Sequence, residues 1–292
     1  MHRSQKSALK KFLEGITIAL SLCFAAQACL YYLLNAGTGK GESNYFSTLS
    51  RFQAAAAPAA KIAFAGSSIT GRIPGREAGN DKIANLGSDG GPALDGIRML
   101  VDDSIASPRW LVIETNTLYG RVGYGETLIS GCAKRPWFYV GASIPLLGAS
   151  ARPTAMLYSK LLNRPKVLTG EPFLVMPDVT ADVEGKAVED FSEGEKMLFH
   201  DYVDGIEQLQ KRGVKIVLVN YPAGEISEHE KILMEVTLFE FKKRFPVIYL
   251  NLAKQISRDS LHFTDSVHLG PESAARILST IANFCENNTT SN

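Results

Sequence analysis

A serine near the start of the globular sequence and an Asp-x-x-His pair near its end are the residues best equipped for chemistry. Thr264-Asp265-Ser266-Val267-His268-Leu269 lies just before a helical pattern that opens at Pro271. Far upstream, the apolar run Lys61-Ile62-Ala63-Phe64-Ala65 leads straight into Gly66-Ser67-Ser68-Ile69-Thr70-Gly71. A serine hydroxyl is a weak nucleophile until a neighbouring base takes its proton. An imidazole can be that base, and a carboxylate beside it can fix the tautomer and stabilise the imidazolium. Ser68, His268 and Asp265 are therefore the parts of an acyl-transfer site. Taken singly, Gly-Ser-Ser is an ordinary turn and Asp-x-x-His a capping Asp with an incidental His. The order of the two, each at a strand end, carries the functional reading. His262 precedes Asp265 and reads as a loop or packing residue, while His200 and His229 fall in helical patterns and read as solvent-facing.

These residues need a scaffold that brings the two ends of the chain together. Short apolar runs at Lys61–Ala65, Lys82–Leu86, Trp110–Thr115, Val214–Asn220 and Val247–Leu252 predict buried strands. Helical patterns lie near Ala93–Ile105, Glu189–Arg212, Glu225–Arg244 and Pro271–Glu286, the second ending at Gly213 and the last beginning with Pro. Strands separated by helical crossovers imply an α/β fold with a parallel sheet covered on both faces. In such a sheet ligands bind beyond the carboxyl ends of the strands. Ser68 follows the first strand, Asn85-Leu86-Gly87-Ser88-Asp89-Gly90-Gly91 runs out of the second, Glu114-Thr115-Asn116 ends the third, and the Asp265/His268 loop follows the fifth. The alternation breaks over about 117–190, an insert with Trp137-Phe138-Tyr139, an apolar patch at Ser143–Gly148 and a helix around Thr154–Asn163. It reads as a cap over the strand ends or a docking surface for a membrane partner.

Composition narrows the setting. Lys+Arg 31 against Asp+Glu 30 gives a net charge of +1, which argues against a nucleic-acid partner. Gly15 to Leu34 carries no charge and, at ~1.5 Å per residue, can cross a hydrocarbon core of ~30 Å. Arg3, Lys6, Lys10 and Lys11 precede it, so residues 1–11 are expected in the cytoplasm, 12–34 as a transmembrane signal anchor, and the rest in the periplasm or outside the cell. A signal peptide cleaved near Ala26-Gln27-Ala28 is the competing reading, and a lipoprotein at Cys29 a third; all three export the body. Residues 35–60, Gly-rich at first and closing with an alanine run, read as a linker to a domain over 61–292. Cys132 and Cys285, outside the apolar run, could pair as a disulfide or stay as buried thiols. H-E-x-x-H, C-x-x-C and a dinucleotide fingerprint after a strand are absent, so neither metal nor cofactor is expected.

The same blocks resemble the SGNH (GDSL-type) hydrolase superfamily. Phe64-Ala65-Gly66-Ser67-Ser68-Ile69-Thr70-Gly71 looks like its first block, with Ser68 as nucleophile, and Asp265-Ser266-Val267-His268 fits its last. Asn85-Leu86-Gly87-Ser88-Asp89-Gly90 looks like the second block, and Asn116 is the nearest match to the asparagine of the third. The resemblance implies a three-layer α/β/α sandwich around a flavodoxin-like parallel sheet of about five strands. It implies an oxyanion hole made of the Ser68 and Gly90 N–H groups and the Asn116 amide. Two departures stand out: Ser67 replaces the family's Asp, and Glu114-Thr115-Asn116-Thr117 replaces its Gly-x-Asn-Asp. Ser-Ser variants resemble branches that acylate or deacylate cell-surface polymers, often beside a membrane-embedded acyl donor protein. The implied activity is that of an esterase or O-acetyltransferase on an acylated glycan or glycoconjugate. A lipid or small-ester esterase and a non-catalytic assembly or glycan-binding subunit remain open.

Overall fold

The computed structural model describes residues 3–34, 43–56, 58–119, 136–162, 186–222, 227–265 and 267–288. The five apolar runs form β1 (Ile62–Gly66), β2 (Ile83–Gly87), β3 (Trp110–Glu114), β4 (Lys215–Asn220) and β5 (Val247–Asn251). They pair in parallel in the order β2-β1-β3-β4-β5. The helices are α1 (Arg3–Leu34), α2 (Asn44–Ala55), α3 (Leu94–Val101), α4 (Pro136–Ser143), α5 (Pro153–Leu162), α6 (Glu193–Lys211), α7 (Glu228–Arg244), the single turn α8 (Leu252–Gln255) and α9 (Pro271–Asn287). The α/β expectation holds, with an apolar N-terminal helix added.

Alternation along the strands builds the layers. Ala63, Ala65, Leu111, Ile113, Ile216 and Leu218 face one core, shared with α2, α3, α6 and α7. Their neighbours Ile62, Phe64, Trp110, Val112, Val217 and Val219 face the other, closed by Ala274, Ile277, Leu278 and Ile281 of α9. A period of two on strands and an apolar stripe on each helix are what a covered parallel sheet requires. Strand order reverses between β1 and β3, which opens a crevice beyond their carboxyl ends.

Helices α6 and α7 start four and three residues later than hydrophobic periodicity suggests, because caps set them. Ser192 and Glu195 exchange hydrogen bonds at the head of α6, and Ser227 and Glu230 do the same at α7. Each pair satisfies donors that the first helical turn leaves orphaned. Glu189 and Asp190, upstream of the α6 cap, form a 3-10 turn with Val188. At α3 the pattern stops at Val101 rather than Ile105, since Asp103 takes a φ of 55° that a helix cannot continue through.

The linker expectation fails over 44–55. Helix α2 lies there, capped by Ser43, with Leu49, Phe52 and Ala55 in the core against β2. Its spacing places Thr48, Arg51, Phe52 and Ala55 on one face, a pattern short enough to be lost against the alanine run that follows. Within the insert, α4, three 3-10 turns and α5 are described; 120–135 and 163–185, with Cys132, lie outside the described residues. Phe138 is buried while its neighbours Trp137 and Tyr139 face outward. Cys285 is buried on α9, and burial pushes its thiol up to about 12. Helix α1 is continuous, and its Ser7–Leu33 stretch is long and apolar enough to cross a membrane.

Because α2 completes the core, a soluble fragment must contain it. A chain starting at Ser43 is expected to unfold cooperatively. One starting at Lys61, as a linker boundary would dictate, is expected to melt far lower or aggregate, since burial of Leu49 and Phe52 alone is worth ~1.5–3 kcal/mol each. Phe52→Ala in the longer fragment should cost ~3–5 kcal/mol by chemical denaturation.

Candidate active site

Strand β1 delivers Gly66-Ser67-Ser68 into a turn whose backbone is held from below by Glu114, the last residue of β3. The Glu114 side chain has no solvent exposure. Its Oε2 accepts hydrogen bonds from Ser67 N (2.9 Å), Thr70 N (3.1 Å) and Thr70 Oγ1 (2.7 Å). Its Oε1 accepts from Ser67 Oγ and Thr117 Oγ1, both at 2.8 Å. Five donors on one carboxylate satisfy it without a cation. Gly66 makes the approach possible, because a Cβ there would collide with Glu114 and Thr70 Oγ1. The turn continues with Ile69 N donating to Ser67 Oγ (3.1 Å) and Gly71 N donating to Ser67 O (2.9 Å). This leaves Ser68 facing outward at the strand tip.

The other half of the site comes from the loop between α8 and α9. Phe263 and Leu269 form an antiparallel bridge, closed by Thr264 N donating to His268 O (2.8 Å) and Gly270 N donating to His262 O (2.8 Å). Inside this loop Asp265 Oδ1 accepts from Val267 N (2.9 Å) and His268 N (2.7 Å). His268 Nδ1 lies 2.8 Å from Asp265 Oδ2, and His268 Nε2 lies 2.8 Å from Ser68 Oγ. The three side chains expected to act together thus form one hydrogen-bonded line. Burial pushes the Asp265 carboxyl up, but the His268 and Val267 N–H groups and the imidazole outweigh it and hold the acid below its ordinary range. An ionised Asp265 keeps Nδ1 protonated, so that Nε2 is the acceptor facing Ser68. The rival His262 is exposed in the loop, and His229 is an exposed partner of Glu195.

The three expected oxyanion donors separate. The N–H groups of Ser68 and Gly90 have no hydrogen-bond partner among the described residues. Gly90 has a φ of 80°, a left-handed geometry suited to glycine. Asn116 is committed elsewhere: Nδ2 donates to Tyr221 O (3.0 Å) and Oδ1 accepts from Tyr221 N (2.8 Å). Both ends of its amide clamp the tip of β4 to that of β3. The clamp suits two strand ends, whose peptide unit needs both partners, and it engages one of the two Nδ2 hydrogens.

Residues outside the expected set also shape the site. Arg51 of α2 is buried; its Nε and Nη2 donate to Gly87 O (3.1 and 3.0 Å), and Nη2 pairs with Asp89 Oδ1 (2.6 Å). Thr48 Oγ1 accepts from Asp89 N (2.9 Å) and Ser88 Oγ donates to Asp95 Oδ2 (2.6 Å), so the 87–91 loop is tied on both sides. A charged residue ending the apolar run Trp110–Ile113 was the available signal for Glu114. Arg51, inside a stretch read as linker, gave none. Among the described residues no group of three or more His, Cys, Asp or Glu is placed to hold a metal.

Comparison of the chain with protein-family models, curated proteins and solved structures gives no match.

Glu114→Gln is expected to turn an NH₂ group against several N–H and O–H donors. The unmet donors and lost charge-assisted bonds should lower stability by ~2–4 kcal/mol, read as a drop in urea midpoint at unchanged m.

Proposed function

We propose that this protein is an SGNH-like serine enzyme that hydrolyses or transfers an acyl group, acetyl being the expected one, on a cell-surface polysaccharide or related glycoconjugate. The observation that carries the reading is the 2.8 Å approach of Ser68 Oγ to His268 Nε2 across 200 residues of sequence, with Asp265 behind the ring. In this reading His268 takes the Ser68 proton as the hydroxyl oxygen attacks the ester carbonyl. The N–H groups of Ser68 and Gly90 receive the oxyanion; each such donor typically lowers the barrier by ~3 kcal/mol. The protonated imidazole then gives its proton to the leaving alkoxide, and an acyl-Ser68 ester remains. Water completes hydrolysis; a sugar hydroxyl, deprotonated by the same His268, completes transfer.

Helix α1 supports membrane attachment with the body on the exported side. Gln27 Nε2 donates to Leu146 O (2.9 Å), which sets the insert level with α1 about 9 Å before Leu33, at ~1.5 Å per residue. Trp137, Tyr139, Val140, Ile144, Leu147 and Leu157 are exposed on that insert. Aromatic and aliphatic side chains at this depth fit a headgroup–acyl boundary. The same residues favour a second reading, an esterase of lipid-like substrates whose acyl chain would follow that surface.

The test is labelling by a serine-directed fluorophosphonate together with turnover of 4-nitrophenyl esters of increasing chain length. The wild-type chain is expected to be labelled at Ser68. Ser68→Ala and His268→Ala should both lose labelling, with ester turnover down by at least ~10³-fold. Absence of label on a folded wild-type chain would overturn the catalytic reading. Preference for acetate over palmitate supports the glycan reading, and the reverse supports the lipid one.

A further inference from the structure

Catalysis as proposed leaves one side chain on the nucleophile turn without a task. Arg72 closes the 3-10 turn Thr70–Arg72, four positions after Ser68. The turn is rigid: Glu114 holds Thr70, and Arg72 N donates to Ile69 O (3.1 Å). Gly71 lies flush on the Arg51–Asp89 pair, where a Cβ would come within 2.8 Å of Asp89 Oδ1. The root of Arg72 is therefore fixed beside the triad.

Its head is not. The guanidinium is half-buried, yet it makes no hydrogen bond or ion pair with any described residue. Among the described residues, the charged groups that act on it are Asp89, Asp265 and Arg51, with a weaker effect from the Tyr158 phenol of α5. Both carboxylates are already engaged. Asp89 Oδ1 holds Arg51 at 2.6 Å, and Asp265 accepts from Val267 N, His268 N and the imidazole. A guanidinium stays protonated despite the burial that weakens its hold on the proton. Five donors, partly stripped of water and unmatched by any described residue, are complementary to a planar oxyanion. Asp89 is offset by Arg51, so the charge that Arg72 adds beside Asp265 favours an anionic group.

We propose that Arg72 is the substrate-reading residue of this site and binds a carboxylate carried by the ester that Ser68 attacks. The assignment rests on the serine-esterase reading for its substrate, but the anion site itself does not require turnover. The carboxylate has two possible sources: the alcohol half, as in an ester of an acidic sugar, or the acyl half, as in a dicarboxylic half-ester.

The experiment uses the full chain in detergent micelles and three probes. Phenyl acetate is neutral, 4-acetoxybenzoate carries the charge on the alcohol half, and phenyl hydrogen succinate carries it on the acyl half. Arg72→Gln is expected to raise KM for one of the charged esters by ~10-fold or more, with kcat nearly unchanged and phenyl acetate within about twofold. Arg72→Lys should recover part of the loss, because it restores charge without the fork. The charged ester that responds identifies the half. An equal loss on all three esters would mean that Arg72 acts by positioning Asp265, and no change on any would mean that it is idle; either overturns the proposal. If the wild-type chain turns over none of the esters, the enzymatic reading fails separately. Ligand-observed NMR on Ser68→Ala then decides for Arg72. Saturable binding of a charged probe that Arg72→Gln abolishes upholds the anion site, and its absence overturns it.

Discussion

A single buried carboxylate organises the edge of the sheet where the triad meets. Glu114 ends β3 at the point where strand order reverses, and it accepts five hydrogen bonds, four of them from the turn that carries Ser68. An ionised group without a counter-ion is costly in an interior unless donors surround it. Here the donors are the backbone and hydroxyls of Ser67, Thr70 and Thr117, so the cost of burial is converted into a fixed geometry. The turn cannot relax without exposing either the acid or its donors. That constraint lets a serine on a short loop hold its hydroxyl against an imidazole from the far end of the chain.

Three independent fastenings meet at this edge. Glu114 fixes the loop after β1. Arg51 reaches from α2 to fix the loop after β2 through Gly87 O and Asp89. Asn116 locks the tips of β3 and β4 through the Tyr221 peptide. The Asp265 loop is self-contained by comparison, braced by its own carboxylate and the Phe263–Leu269 bridge. Each loop is rigid for its own reason, which suits a site whose hydrogen bonds must be in place before a substrate arrives.

Much of this was legible in the residues. All five strands were, because continuous apolar runs of that length bounded by Gly, Asn and helical patterns have few other structures open to them. The Ser68–His268–Asp265 line was legible because a hydroxyl, an imidazole and a carboxylate are named by side-chain type and loop position. Asn116 shows the limit: residue type names a donor, but strand-end geometry decides who receives it. Arg51 and α2 were hidden for a different reason. Their value lies in contacts with β2 and its loop, which no local periodicity encodes, and the alanines after Phe52 resemble a spacer. Arg72 was hidden because a lone arginine in a turn carries no signal until its neighbours prove to be occupied.

Ser67 and Glu114 explain each other. The resemblance drawn from the sequence would place an aspartate at position 67. With Glu114 Oε1 2.8 Å from the Ser67 hydroxyl, an aspartate there would set two carboxylates in contact in a site closed to water. One of them would have to take up a proton, and the N–H donors of the turn would lose an acceptor. A serine removes the conflict and adds a donor. The charge that this position would have supplied lies instead one strand away, at the end of β3, and points at the same backbone. A serine at position 67 and a glutamate at position 114 are therefore mutually compatible, with one carboxylate beneath the turn that carries Ser68. Ser67 adds no further acid to the turn, and the acids near Arg72, Asp89 and Asp265, are each engaged by another group.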